Sequence, residues 1–177
     1  MEIDSKNAEA TEAVVAGHIC IDVIPTLFAR DFQFSPGKLV ESGAVATSTG
    51  GSVSNTGIAL HRLGISTRLM GKIGTDLFGE AIKSILESHG DGLSRGMTIS
   101  PGEQTSYSII LSPPGSDRMF LHAPGCNATF DQNDIDYAEI ATARLLHFGY
   151  PPLMQNRACL IGIHRAVVAA PIKIVVE

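Results

Sequence analysis

Residues 49–55 read TGGSVSN, a glycine pair that leads directly into a segment with helical spacing. Apolar residues recur at the helical period from Val53 to Leu63, and Gly64 stands where a left-handed C-terminal cap is usual. Paired glycines let a backbone approach a ligand without Cβ obstruction, and a helix start offers free N–H groups. Asn55 adds a donor and an acceptor. The segment therefore favours a neutral polyol site, although a Gly-Gly turn that caps a helix explains the glycines equally well.

Residues 14–22, VVAGHICID, form a β-branched and largely apolar run that ends in an acid. This pattern is typical of a strand that is buried on both faces of a parallel sheet and whose carboxyl end opens onto a site. We therefore predict a single strand, with Asp22 as the candidate site residue. His18 and His147 also lie within apolar strand-like runs, where a hydrogen-bonded core histidine is the more common role.

The rest of the chain alternates helical and strand-like segments, which predicts a parallel α/β sheet. Asp76 is expected to cap a helix that ends at Gly90, because its carboxylate can accept bonds from unpaired backbone N–H groups. The β-rich runs 104–112 and 117–123 are separated by PPGS and predict a hairpin. Further predicted segments are strands at 38–48, 66–70, 145–149 and 172–176, and helices at 134–144 and 153–168.

Composition excludes several kinds of partner. The 177 residues carry 13 basic and 18 acidic side chains, a net charge of −5, which offers no field for nucleic acid or anionic lipid. Three widely spaced cysteines, Cys20, Cys126 and Cys159, indicate neither a disulfide framework nor a metal site. The first 13 residues resemble no targeting peptide, and no apolar run is long enough to cross a membrane. We expect a soluble, cytoplasmic protein with a flexible tail over residues 1–13.

The spacing from the glycine pair through Asn55, Gly64 and Gly74 resembles the first signature of the PfkB/ribokinase family of carbohydrate and nucleoside kinases. Val53 and Gly57 depart from the usual residues at its two small positions. Other pieces follow in the family's order, namely GHICID at 17–22, Arg118, PGCN at 124–127 and HFGY at 147–150.

The resemblance implies a ribokinase-like α/β fold, with three αβα layers around a parallel sheet, a small β lid and a C-terminal truncation. It implies that residues 14–154 are the N-terminal, sugar-binding part of such a kinase, with a lid formed by about 23–50 and 98–124. Residues 155–177 no longer match the family's motifs and are expected to be a divergent tail. Relatives often pair through their lids, so a homodimer is a further expectation.

The same resemblance implies which residues bind the substrate. Asp22 would grip two adjacent hydroxyls of a sugar or related polyol, since its two oxygens can accept two hydrogen bonds. Gly50, Gly51 and Asn55 would complete the site, and Asn127 would be a neighbour. The alternative role of Asp22 is to end a strand and cap a turn. Ser52 stands where many relatives carry a lysine near the transferred phosphate.

The same resemblance implies ATP and Mg²⁺ as cofactors. The family's second signature, a Gly-Ala-Gly-Asp segment that carries the catalytic acid, has no match in this sequence, so no catalytic residue is assigned. The expectation is an ATP-dependent sugar kinase represented by its sugar-binding half and inactive alone. A non-catalytic sugar-binding or regulatory module that pairs with an intact kinase through its lid, and a nonfunctional fragment, remain alternatives. A GxSxG match at 92–96 lacks the buried strand that a hydrolase requires before it.

Overall fold

The computed structural model describes residues 11–28, 35–149 and 173–176, which form two β-sheets and three α-helices. The strands are β1 (Ala13–Gly17), β2 (Cys20–Pro25), β3 (Val45–Gly50), β4 (Thr67–Gly74), β5 (Met97–Ser100), β6 (Tyr107–Leu111), β7 (Met119–Ala123), β8 (Leu145–Gly149) and β9 (Lys173–Val176), and the helices are α1 (Gly51–Arg62), α2 (Leu77–His89) and α3 (Tyr137–Thr142).

The larger, central sheet has the order β5-β4-β1-β8-β9, and all its neighbouring strands are parallel. Alternate residues of β1 face opposite layers. Val15 packs against α1 and α2, whereas Val14 and Ala16 pack in a second cluster with Ile140 of α3. Apolar residues on both faces of β1 therefore hold the three-layer αβα arrangement that the sequence predicts, and this prediction is confirmed.

The smaller sheet, called the lid sheet below, has the order β3-β2-β6-β7. Strands β6 and β7 pair antiparallel across residues 113–116, which confirms the predicted hairpin, while β2 and β6 are parallel. One face of the lid sheet meets α2, where the rings of Phe78 and Tyr107 lie 5.5 Å apart. Strand β3 covers Val45–Gly50 and starts later than the 38–48 run that the sequence predicts.

The prediction of one strand over residues 14–22 is wrong, because the chain changes sheets in the middle of this run. Gly17 adopts a φ of 126°, and a Cβ at this position would overlap the carbonyl oxygen of Gly149. The positive φ and the close approach of the β8 backbone require glycine here. The chain leaves the central sheet at Gly17 and enters the lid sheet at Cys20.

The helix ends follow the local signals in the sequence. Asp76 caps α2 by accepting a hydrogen bond from the Gly79 amide at 2.9 Å, and Gly64 has a φ of 82° just after α1. Helix α3 is shorter than the predicted 134–144 segment, because Ile135 is extended and Asp136 provides the cap.

Other segments also test the predicted organisation. Strand β8 matches its prediction, and the predicted strand at 172–176 is present as β9. Strand β5 belongs to the central sheet, although the predicted lid range 98–124 includes most of it. Ala13 is buried within β1, so the predicted tail does not extend to residue 13. The predicted helix at 153–168 lies outside the described residues.

Candidate functional site

The strand order of the central sheet reverses at β1, and the region at the carboxyl end of β1 is called the crevice below. From β1 the chain builds outward through β4 to β5, and it then returns to the opposite side of β1 as β8. In open parallel sheets, ligands bind outside the carboxyl ends of the strands where the order reverses in this way. This reversal places the candidate site beside Gly17, Gly149 and the start of α1.

Asp22 and the glycine pair meet at this crevice. Strands β2 and β3 pair antiparallel, with Cys20 opposite Gly50 and Asp22 opposite Ser48. A Cβ at Gly50 would overlap the Asp22 carboxylate, so the carboxylate occupies space that only glycine leaves open. Three of the predicted substrate-binding residues, Asp22, Gly50 and Gly51, are therefore neighbours in the structure.

Gly51 fixes the direction in which α1 starts. Its φ is 87°, and a Cβ there would overlap the carbonyl oxygen of His18. The same carbonyl accepts a hydrogen bond from the amide of Val53 at 3.1 Å, which ties the first turn of α1 to the end of β1. The remaining N–H groups at a helix start favour electron-rich ligand atoms.

Ser52 and Asn55, both in the first turns of α1, differ in solvent exposure. The Ser52 hydroxyl is buried beside Gly149 and makes no hydrogen bond to the described part of the chain. Asn55 is exposed, and it lies one helical turn after Gly51 on the same helix face. Its amide is therefore open to a ligand that approaches the glycine pair.

Asn127 has a different environment from the other predicted site residues. Its side chain is fully buried, with 0% exposure. The amide oxygen accepts a hydrogen bond from the Ile19 N–H at 3.2 Å, and the amide nitrogen donates to the Ile19 carbonyl at 2.9 Å. Asn127 thus holds the backbone that links β1 to β2, and it does not face the open crevice. Ile19 immediately precedes β2, the strand that carries Asp22.

Burial governs the protonation of the groups around Asp22. It raises the pKa of Asp22 above the ordinary 3.8, while a hydrogen bond from Cys20 and the charge of His122 act in the opposite direction. Burial and the nearby Asp22 carboxylate raise the pKa of the Cys20 thiol to about 12. The thiol therefore stays protonated near neutral pH, and it donates to the Asp22 carboxylate at 3.4 Å.

Sequence reasoning missed two residues of this site, Ser108 and His122. The Ser108 hydroxyl and His122 Nδ1 lie 2.9 Å apart in the lid sheet, and the rings of His122 and His18 are 5.3 Å apart. Both residues sit in segments that the sequence assigns to strands. Their proximity to Asp22 follows from strand pairing, which no local sequence signal reveals.

His18 and His147 are both buried, with 5% exposure each. Burial, and next the charge of His122, lower the pKa of His18 to about 4, so its imidazole is neutral at physiological pH. The residues that the structure describes contain no cluster of His, Cys, Asp or Glu side chains that could hold a metal ion. In the same part of the chain, no helix is long and apolar enough to cross a membrane.

Comparison with known proteins identifies the lineage. The model of the pfkB family carbohydrate kinases matches residues 10–170. The chain belongs to this family. The match extends past residue 154, where the motif resemblance ends.

Three relatives illustrate the similarity. The chain is 27% identical to the probable chloroplastic fructokinase-6 of Arabidopsis thaliana over 148 residues, which is 82% of this chain and 36% of that protein. Ribokinase from Giardia lamblia superposes with a TM-score of 0.77 at 19% identity, over 95% of this chain and 50% of the other. Arabidopsis thaliana ribokinase, solved with ribose and ATP, gives 0.75 at 18% identity, over 95% and 53%.

These matches confirm the ribokinase-like fold and the predicted family. This chain covers only part of the length of these relatives, 36% of the fructokinase and about half of each ribokinase.

Proposed function

We propose that the crevice at the carboxyl end of β1 binds a hydroxyl-rich sugar as the acceptor site of an ATP-dependent sugar kinase. The observation that carries this proposal is the contact between Asp22 and the glycine pair at the start of α1. A carboxylate can accept hydrogen bonds from two adjacent hydroxyls, and the missing glycine side chains leave room for the ring that bears them. Asn55 supplies an exposed amide on the same side.

Each predicted binding residue then has a distinct role. Asp22 receives the diol, Gly50 and Gly51 allow close approach, and Asn55 donates to or accepts from a further hydroxyl. Asn127 acts through the Ile19 backbone, which it clamps. The lid sheet would limit the access of water to the bound sugar, which strengthens polar contacts inside the site.

The nucleotide side of the reaction depends on the family's second signature. ATP-dependent transfer needs a base for the attacking hydroxyl, donors for the developing charge and Mg²⁺. The sequence has no match to the Gly-Ala-Gly-Asp segment that carries the family's catalytic acid. We infer that these 177 residues bind the sugar but do not transfer phosphate on their own.

Calorimetry with D-fructose and D-ribose, together with a coupled assay of ATP turnover, tests both inferences. Asp22→Ala should weaken sugar binding by about 1 to 3 kcal/mol for each hydroxyl left unpaired. Asp91→Ala is the matched control, because Asp91 is an exposed aspartate outside the crevice, and it should bind like the unaltered chain.

Three outcomes separate the alternatives. Binding without turnover supports the proposal as stated. Sugar-dependent turnover by the 177 residues alone would overturn the inference that they lack a complete kinase site. Equal binding by Asp22→Ala and the unaltered chain would show that Asp22 only ends its strand.

A further inference from the structure

A polar row crosses the lid sheet at the level of Asp22. The strand registers place Ser48 opposite Asp22, Asp22 opposite Ser108, and Ser108 opposite His122. Directly paired residues point to the same face of a sheet, so these four side chains share one face. The row begins with β3 and ends with His122 on β7.

Contacts connect His122 to Asp22 through this row. His122 Nδ1 lies 2.9 Å from the Ser108 hydroxyl, and that hydroxyl lies 3.9 Å from the Cys20 sulfur, a weaker contact. The Cys20 thiol in turn donates to the Asp22 carboxylate at 3.4 Å. A substitution at His122 can therefore alter the position of the Asp22 carboxylate through the Ser108 hydroxyl and the Cys20 thiol.

His122 also connects the lid sheet to the central sheet. Its ring lies 5.3 Å from the ring of His18, which follows β1, with an angle of 46° between the planes. His122 is exposed, and its Nε2 makes no hydrogen bond to the described residues. An imidazole held by Nδ1 presents Nε2 in a fixed direction, which suits a hydroxyl of a ligand.

We propose that His122 is a positioning residue of the sugar site, which orients Ser108 and Asp22 from the lid side and presents its Nε2 to the ligand. This inference rests on the proposed sugar-binding function. It adds a residue of β7, at the far edge of the lid sheet, to a site otherwise built from β2, β3 and α1. The contact with His18 couples the position of the lid sheet to the crevice.

The electrostatics of the site agree with this role. The ionisable groups around Asp22 are Cys20 on its own strand, His122 across β6, and His18 next to the His122 ring. Against the larger effect of burial, the His122 charge and a hydrogen bond from Ser108 lower the pKa of Asp22. Loss of the imidazole should therefore raise that pKa.

The first test needs no ligand. Carbon-detected NMR titration of the Asp22 carboxyl group compares the unaltered chain with His122→Phe, which keeps a ring but loses the charge and the hydrogen bond. The pKa of Asp22 should rise in His122→Phe and stay unchanged in Leu121→Ala, which alters the adjacent residue on the opposite face of β7. An unchanged pKa in His122→Phe would overturn the proposal.

The second test measures affinity for D-fructose and D-ribose by calorimetry. His122→Phe should bind the preferred sugar about three- to tenfold more weakly, the range expected for the loss of one hydrogen bond. His122→Asn should restore the part of the affinity that depends on the contact with Ser108, since its amide can replace Nδ1, but not the part due to a contact between Nε2 and the ligand. His122→Phe should reduce the sugar affinity of the Ser108→Ala variant by a smaller factor than it reduces the affinity of the unaltered chain, because the two residues act through one contact. Full affinity in His122→Phe, or no recovery in His122→Asn, would contradict the positioning role.

The two tests also separate this inference from the function on which it rests. If the unaltered chain binds neither sugar while the pKa of Asp22 still responds to His122→Phe, the proposed sugar class fails and the positioning of Asp22 by His122 stands. If sugar binds and depends on Asp22 but is unaffected by His122→Phe, the sugar site stands and the role of His122 is rejected.

Discussion

The two sheets bury their strands to very different extents. Every residue of β1 in the central sheet is buried, whereas the first four residues of β3 and four of the five residues of β7 in the lid sheet are exposed. The central sheet is covered on both faces by apolar clusters, and the lid sheet carries a polar row on one face. Substitutions in the central sheet should therefore change stability, and those in the lid sheet should change binding.

The largest expected effect is on the core. Phe148 of β8 is fully buried in the cluster that also contains Phe130. Phe148→Ala should lower the free energy of unfolding by about 3 to 5 kcal/mol, because it removes apolar contacts and leaves a cavity. Urea denaturation followed by circular dichroism measures the change.

Leu121→Ala provides the lid-sheet half of this comparison. Leu121 is 54% exposed, so its truncation should alter the free energy of unfolding by no more than about 0.5 kcal/mol. Similar losses in Phe148→Ala and Leu121→Ala would mean that the lid sheet contributes to the folded core as strongly as the central sheet does.

The next prediction concerns Gly50, where a substitution should change sugar affinity more than stability. Gly50 has a φ of −122°, which any residue can adopt, but a Cβ there would overlap the Asp22 carboxylate. Gly50→Ala should displace Asp22 and weaken sugar binding by about tenfold or more, the cost of about one lost charge-assisted hydrogen bond. Since only the end of a side chain must move, the free energy of unfolding should change by less than about 1 kcal/mol.

Gly64→Ala is the opposite case and serves as the control. Gly64 has a φ of 82° with no atom within 4 Å of an added Cβ, so alanine meets backbone strain but no steric overlap. It should cost about 1 kcal/mol of stability and leave sugar affinity unchanged. A loss of affinity in Gly64→Ala, or none in Gly50→Ala, would remove the distinction between a ligand-facing glycine and a structural one.

The helices were predictable because their signals are local. Asp76 and Gly64 act on backbone groups within a few residues, so the sequence alone places the start of α2 and the end of α1. The glycine pair was found as a turn that leads into a helical segment, and Asp22 as the acid at the end of an apolar run.

The rest of the site depends on contacts between distant segments. The close approach of the Gly149 backbone requires glycine at position 17, and the apolar pattern of residues 14–22 does not reveal this contact. The roles of Ser108 and His122 follow from the registers of β6 with β2 and with β7. Asn127 carries a side chain suited to a ligand, but the fold directs it to the Ile19 backbone. Residue type alone could not distinguish these roles.

An effect of similar size concerns the junction between the two sheets. One oxygen of Asp76 accepts from the Gly79 amide at 2.9 Å, and the other accepts from the Thr105 amide at 2.8 Å, just before β6. Asp76→Ala should lower the free energy of unfolding by about 1 to 2 kcal/mol, since a helix cap and a link to the lid sheet are both lost. Asp91→Ala, an exposed control, should match the unaltered chain in urea denaturation. Equal stability of the two variants would show that the junction does not depend on Asp76.

The smallest expected effect is the pH dependence of the same contact. Burial alone would raise the pKa of Asp76, but hydrogen bonds from Thr105, Gly79 and Phe78 outweigh it and lower the pKa below the ordinary 3.8. A carboxyl group whose pKa is lowered by folding stabilises the protein above its unfolded pKa, and this contribution is lost as the pH falls. The stability difference between the unaltered chain and Asp76→Asn should therefore be constant near neutral pH and shrink below about pH 3.8. Free energies of unfolding from urea denaturation between pH 7 and pH 2 give this difference. A difference that is independent of pH would show that the ionised carboxylate does not hold the lid sheet to α2.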